Sequence, residues 1–259
     1  MTQGPLRRIA FTGVLAIAVA LAGCATTGAR NPRDPLEPFN RKVTEFNDGV
    51  DAMLLKPVAT VYRQNVPPLV RTGVANFFGN LGDAWSFANA ALQLRLLNAT
   101  ENFARFAINT TLGIGGIFDV ASEMNIDRHK EDFGQTLGRW GVPAGPYIVL
   151  PIFGPSTLRD SVAFTVDRRY DLVHQIDPIG TRNSLYALRA VDQRATLLRV
   201  SAVLDQAALD KYSFTRDAFL QRRRSEVDER EDPNAGQTPD PLAPPNPDVP
   251  GAPQPAPAR

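Results

Sequence analysis

One cysteine, Cys24, serves all 259 residues, so no internal disulfide is available. Histidine is nearly as scarce. His129 and His174 stand in unrelated contexts, neither within H-E-x-x-H, and no second thiol is there to complete a zinc ligand set. No Walker A sequence occurs, so the chain does not consume ATP by that route. Ser156 follows Gly154 and Pro155 but lacks the second glycine of a nucleophile elbow. The glycines at 113, 115 and 116 lack the final glycine of a dinucleotide loop, Phe118 standing there, and a helical pattern precedes them. A formal charge of +1 excludes a general nucleic-acid binder. These absences leave no catalytic residue, metal site or cofactor to assign, and the chain is not read as an enzyme. Glu131 and Asp132 read as solvated carboxylates, and Arg222 to Arg224 as a solvated helix end.

What is present begins at the N-terminus. Arg7 and Arg8 precede an apolar stretch from Ile9 through Leu21, short of the roughly 20 residues that span a bilayer core. This is a secretory signal over residues 1–23. It ends Leu21-Ala22-Gly23-Cys24, the form of a lipobox, in which lipid is attached to the thiol and the chain is cut before it. The expectation is a protein anchored by acyl chains, palmitate among them, on Cys24. The covalent lipid is its only expected non-protein group. Ala25, in place of aspartate, favours the outer membrane.

Residues 24–33 read as a lipidated tether and 34–231 as a helical domain. Asp34 and Pro35 supply an N-cap and a first-turn proline, with Glu37 in the capping-box position. Leu36, Phe39, Val43, Phe46, Val50 and Met53 then recur at alternating steps of three and four, a helix stripe that Lys56-Pro57 is expected to end. The stripe suits packing on a core or contact with acyl chains, and the pattern alone does not separate the two. Further helices are expected over 72–97, from Asn98 or Thr100 through Thr111, along the stripe Leu185 to Ala202, and over about 205–230. Trp140 to Leu158 carries no charge, yet its prolines (143, 146, 151, 155) and glycines (141, 145, 154) forbid a regular helix. No strand ladder is expected there. Ten of the 22 prolines fall after Glu231, so 232–259 reads as a disordered Pro-rich tail. The fold class is mainly α with a Gly/Pro-rich irregular segment.

Six ordered runs resemble the MlaA (VacJ) family. They are DPLEPFNR from Asp34 to Arg41, NFFGNL from Asn76 to Leu81, RFAINTTLG from Arg105 to Gly113, FDVA from Phe118 to Ala121, FGQTLG from Phe133 to Gly138, and the stretch from Gly145 through Leu150–Gly154 to Asp160. The resemblance covers about 34–222. It implies a ring-like assembly of amphipathic interfacial helices around a central channel, at the periplasmic face of the outer membrane. It implies removal of phospholipid that has strayed into the outer leaflet, delivery to the periplasmic carrier MlaC, and association with a trimeric porin. On this reading the channel or gating candidates are Phe46, Asn47, Gly113, Gly115, Gly116, Pro143, Pro146 and Pro151. The three glycines suit a hinge or a helix C-cap equally. A structural porin-associated lipoprotein and a lipid-cleaving enzyme are the competing functions.

Overall fold

A computed structural model describes residues 34–228. The signal peptide, Cys24, the tether and the tail 232–259 lie outside the described residues.

The fold is mainly helical. Helix α1 (Glu37–Val50) runs through a π-helical turn (Asp51–Leu55) straight into α2 (Lys56–Asn65). The helix therefore does not stop at Lys56-Pro57. A proline ring collides with the carbonyl four residues back and brings no N–H. The wider π turn, in which the Lys56 N–H donates to the Asp51 carbonyl, takes up that misfit. The break falls instead at Val66-Pro67, before α3 (Pro68–Leu92). A tight turn at Leu94, whose φ is +60°, leads to α4 (Leu96–Thr111). Neither Asn98 nor Thr100 caps α4, which begins earlier, at Leu96. Short helices α5 (Val120–Glu123) and α6 (Phe133–Arg139) follow, capped by Asp119 and Asp132.

The Gly/Pro-rich segment is not wholly irregular. Strands β1 (Tyr147–Leu150) and β2 (Gly154–Thr157) form an antiparallel hairpin in which Tyr147 faces Thr157 and Leu150 faces Gly154. Four-residue strands around a proline-bearing turn give too short an alternation to read from sequence. Helices α7 (Leu158–Tyr170), α8 (Ile179–Ala207) and α9 (Lys211–Asp228) complete the chain. Among the described residues no helix is long and apolar enough to cross a membrane.

The packing is inverted relative to a water-soluble domain. Helix α4 buries Asn98, Asn102, Arg105 and Asn109 at helical spacing, while Leu96, Phe103 and Leu112 point outward. Facing it, α3 buries Asn80, Asp83, Ser86 and Asn89. Among the described residues, the buried apolar side chains larger than alanine are Phe78, Tyr147, Val149, Val173 and Tyr212. Buried polar groups are tolerable only when paired, and the buried charges here have partners, although single atoms such as Asn80 Oδ1 and the Tyr186 hydroxyl have none among the described residues. Arg105 grips Asp119 with two bonds of 2.7 Å, Asn109 donates to the same carboxylate at 2.9 Å, and Arg95 meets Glu131 at 2.6 Å. Arg223 bridges Asp132 at 2.6 Å and Asp160 at 2.9 Å. Glu131 is therefore not solvated, whereas Asp132 is partly exposed even while paired, and Arg223 is buried between its solvent-facing neighbours. Nor is Asp34 a cap. No side chain caps α1, and the Asp34 carboxylate is buried, receiving Tyr212 at 2.5 Å and Arg216 at 3.1 Å.

Candidate functional site: an amphipathic cleft under a hairpin

Two asparagines seven positions apart lie on one face of α1. Asn40 Nδ2 donates to the Tyr147 carbonyl at 3.0 Å, and its Oδ1 accepts the Val149 N–H at 2.9 Å. Asn47 repeats the arrangement one step along: it donates to the Leu150 carbonyl at 3.0 Å and accepts the Ile152 N–H at 2.7 Å. Each carboxamide acts as the missing neighbour strand for β1, satisfying an edge that would otherwise be open. At the other end of the segment, the carbonyls of Ala144 and Pro146 accept the N–H groups of Arg159 and Leu158 at 3.0 Å each, and Thr157 caps α7. The charge-free segment is thus fixed at both ends, and its turn, Pro151-Ile152-Phe153, is left exposed.

That turn forms the lip of a cleft of about 580 Å³. Part of its lining is apolar and aromatic: Leu55, Leu81, Trp85, Ile152, Phe153 and Phe164. The rest includes Asp167, Arg168, Asp171, Tyr186 and Arg189. The polar groups are ordered. Asp167 accepts the Trp85 indole at 2.8 Å and the Phe133 N–H at 2.9 Å. Burial pushes the Asp167 carboxyl above the usual range, against the pull of those two donors. Trp85 stacks on Tyr170, ring centroids 5.1 Å apart and planes 6° apart. Arg189 pairs with Asp171 at 2.9 Å. A second cavity, about 460 Å³ and almost wholly apolar, is lined by Val70, Val74, Phe77, Ile117, Phe118 and Leu188 among others.

The residues singled out from sequence divide between these places. Pro151 begins the hairpin turn at the cleft lip, and Asn47, on α1, clamps that turn; Phe46 beside Asn47 is exposed. Pro143 and Pro146 precede β1, where Pro146 helps to fix the start of α7. The glycines lie elsewhere, after α4. Gly116 (φ +88°) donates to the Asn109 carbonyl at 2.8 Å, and Gly115 (φ +68°) to the Thr110 carbonyl at 3.0 Å. This is the geometry of a helix C-cap, and it leads into Ile117 and Phe118 of the second cavity. A Cβ on Gly116 would meet the Asn80 side chain at 2.6 Å. Sequence reasoning missed Trp85, Asp167, Arg168, Asp171 and Tyr186. They come from three separate helices and a connecting turn, and no spacing rule links them. The one visible signal is the charged run Asp167-Arg168-Arg169 directly after an uncharged stretch of α7.

These features define a class: a mainly helical protein that packs through polar side chains, turns its apolar ones outward and holds an amphipathic cleft. The profile of the MlaA lipoprotein family matches residues 32–226, and the chain belongs to that family. The intermembrane phospholipid transport system lipoprotein MlaA of Shigella flexneri is 37% identical over 227 residues, covering 83% of this chain and 89% of that protein. The protein of the same description from Escherichia coli strain K12 gives the same figures. A solved chain, from work on the structural basis for maintenance of bacterial outer membrane lipid asymmetry, is 35% identical. It superposes with a TM-score of 0.67, covering 75% of this chain and 98% of its own.

Proposed function

We propose that the protein is an outer-membrane lipoprotein, anchored through lipid on Cys24 at the periplasmic face, that withdraws mislocalised phospholipid from the outer leaflet. The lipid passes through a channel of which the amphipathic cleft is part, and is handed to the periplasmic carrier MlaC. The helices form a ring about that channel, lie in the leaflet with their apolar faces against acyl chains, and associate with a trimeric porin. Asn47 and Pro151 act on the channel through the hairpin turn, with Phe46, Pro143 and Pro146 as its flanking supports. Gly113, Gly115 and Gly116 hold the α4 end rigid so that the adjoining apolar cavity keeps its shape.

The observation that carries this reading is the cleft, lined by both apolar and charged side chains, in a molecule that turns many large apolar side chains outward. Two lipid tails hold about 30 methylenes, so full exposure to water would cost roughly 25 kcal/mol at about 0.8 kcal/mol each. A carrier path must cover tails and still give a headgroup polar contacts, and this mixed lining supplies both. The deciding experiment is deletion of the gene in its own host. Phospholipid in the outer leaflet rises and returns to normal on complementation. An unchanged level would defeat the proposal. Purified protein that turned over labelled phospholipid would establish the lipid-cleaving alternative instead.

A further inference from the structure

We propose that Arg168 is the anion contact of the cleft, taking the phosphodiester of a lipid whose tails lie against Leu55, Leu81, Trp85 and Phe164. This rests on the reading of the cleft as a phospholipid path. The argument is one of elimination along the polar wall. Arg189 is bound to Asp171 at 2.9 Å. Asp132 is bound to Arg223 at 2.6 Å. Asp167 takes the Trp85 and Phe133 N–H groups on Oδ1 and forms no ion pair with a cation among the described residues. Arg168 alone among the cleft's cations has no carboxylate within ion-pairing distance among the described residues, and its N–H groups have no acceptor there. It is held all the same. The guanidinium carbon lies 4.4 Å from the centre of the Tyr186 ring, 5.7 Å from Phe153 and 5.8 Å from Phe164. A cation–π contact uses up no N–H donor, so the guanidinium keeps the fork that fits two phosphate oxygens. Phe153 and Phe164 belong to the apolar lining, so the phosphate seat and the tail surface meet at this side chain. Phe153 sits on the hairpin turn clamped by Asn47, which ties the seat to the position of the hairpin.

The test uses the full lipidated protein in detergent. Photoreactive phosphatidylglycerol and photoreactive diacylglycerol of the same chain length are each offered to wild type, Arg168→Gln and Arg168→Lys. Inorganic phosphate is the competitor. Wild type labels cleft peptides with both lipids and prefers the phospholipid, and phosphate at millimolar concentration leaves that labelling unchanged. Arg168→Gln lowers the preference on the order of tenfold, as expected for one charge-assisted contact, with diacylglycerol labelling preserved. Arg168→Lys restores part of it. Because Arg168 has no ion-pair partner, the Gln variant strands no buried carboxylate and stays folded, its melting temperature lowered only by the lost cation–π contact. An unchanged preference in Arg168→Gln would overturn the assignment while leaving the cleft as a lipid path. Competition by inorganic phosphate alone would assign the seat to the free anion and overturn the lipid. If neither lipid labels the wild-type cleft, the underlying reading of the cleft fails as well.

Discussion

Arg105 shows what a single side chain does in an interior of this kind. It is almost fully buried, it grips Asp119 bidentately, and it also donates to Ser122 and to the Ile126 carbonyl. Removing one partner of a buried pair leaves the other charge without compensation. Arg105→Ala is therefore expected to lose at least about 3 kcal/mol of stability, read by chemical unfolding in detergent. Asp119 supplies a pH signature. Burial pushes it up, but hydrogen bonds from Ser122, Asn109 and Arg105 outweigh that and hold its pKa at about 2. The folded value lies below the unfolded one of about 3.9. The stabilisation is thus complete above about pH 4 and is lost as pH falls toward 2. Asp83 and Asp167 are both raised by burial, so their contributions run the opposite way, fading as pH rises through the carboxylate range. A melting temperature that falls between pH 4 and 2 in wild type, and falls less in Asp119→Asn, is the expected result. Gly116→Ala is expected to destabilise the loop after α4, by the clash with Asn80 and by its positive φ. Circular-dichroism melting measures it.

At the scale of elements, the hairpin depends on α1. Asn47 makes two bonds to the hairpin turn and supplies no other structural support there. Asn47→Ala would leave a strand edge open, a loss of about 1–3 kcal/mol confined to that end of the hairpin. Hydrogen exchange at the Ile152 amide should then speed up by ten-fold or more, while the Val149 amide, held by Asn40, stays protected. Equal acceleration at both amides would mean that the hairpin moves as one body. How far these elements can be read from sequence follows from the same contacts. The α1 stripe was legible because helix periodicity needs only local spacing, and its residues divide between the core and the exposed surface. Val43 packs on the small core around Tyr147 and Tyr212, whereas Met53 is 82% exposed. The end of that helix was not legible, because whether a proline stops a helix depends on a π turn that no propensity scale encodes. The hairpin was hidden for another reason. Its β1 edge pairs with side-chain amides more than 100 residues away, so the partners lie outside any local window.

Over the whole molecule, the polar interior and apolar exterior were the hardest features to foresee. Asn98, Asn102, Arg105 and Asn109 form a regular helical stripe, but a sequence reader assigns polar stripes to solvent. Only the partners on α3 and the α5 cap reveal that this face is turned inward. The lipobox and the family runs, by contrast, were plain in the sequence, because they are contiguous strings. The charged part of the cleft assembles from α7, α8 and the turn after α7, and only the fold brings them together. A molecule built this way should resist unfolding in detergent or bilayer, and aggregate when its outward Phe103, Leu112 and Leu96 meet water. Light scattering of the delipidated, Cys24→Ala protein on detergent dilution checks that. The same variant is expected to fold in detergent yet fail to lower outer-leaflet phospholipid in cells.

The central claim is that phospholipid travels along the cleft beneath the hairpin, and one measurement meets it directly. A photoreactive amino acid is placed at Phe153, on the cleft lip, in the lipidated protein in living cells, with Phe103 on the outer face of α4 as the reference position. The account predicts phospholipid adducts at both positions, and loss of the Phe153 adduct alone when Leu81 and Phe164 are enlarged to fill the cleft. Lipid adducts at Phe103 with none at Phe153 would contradict it.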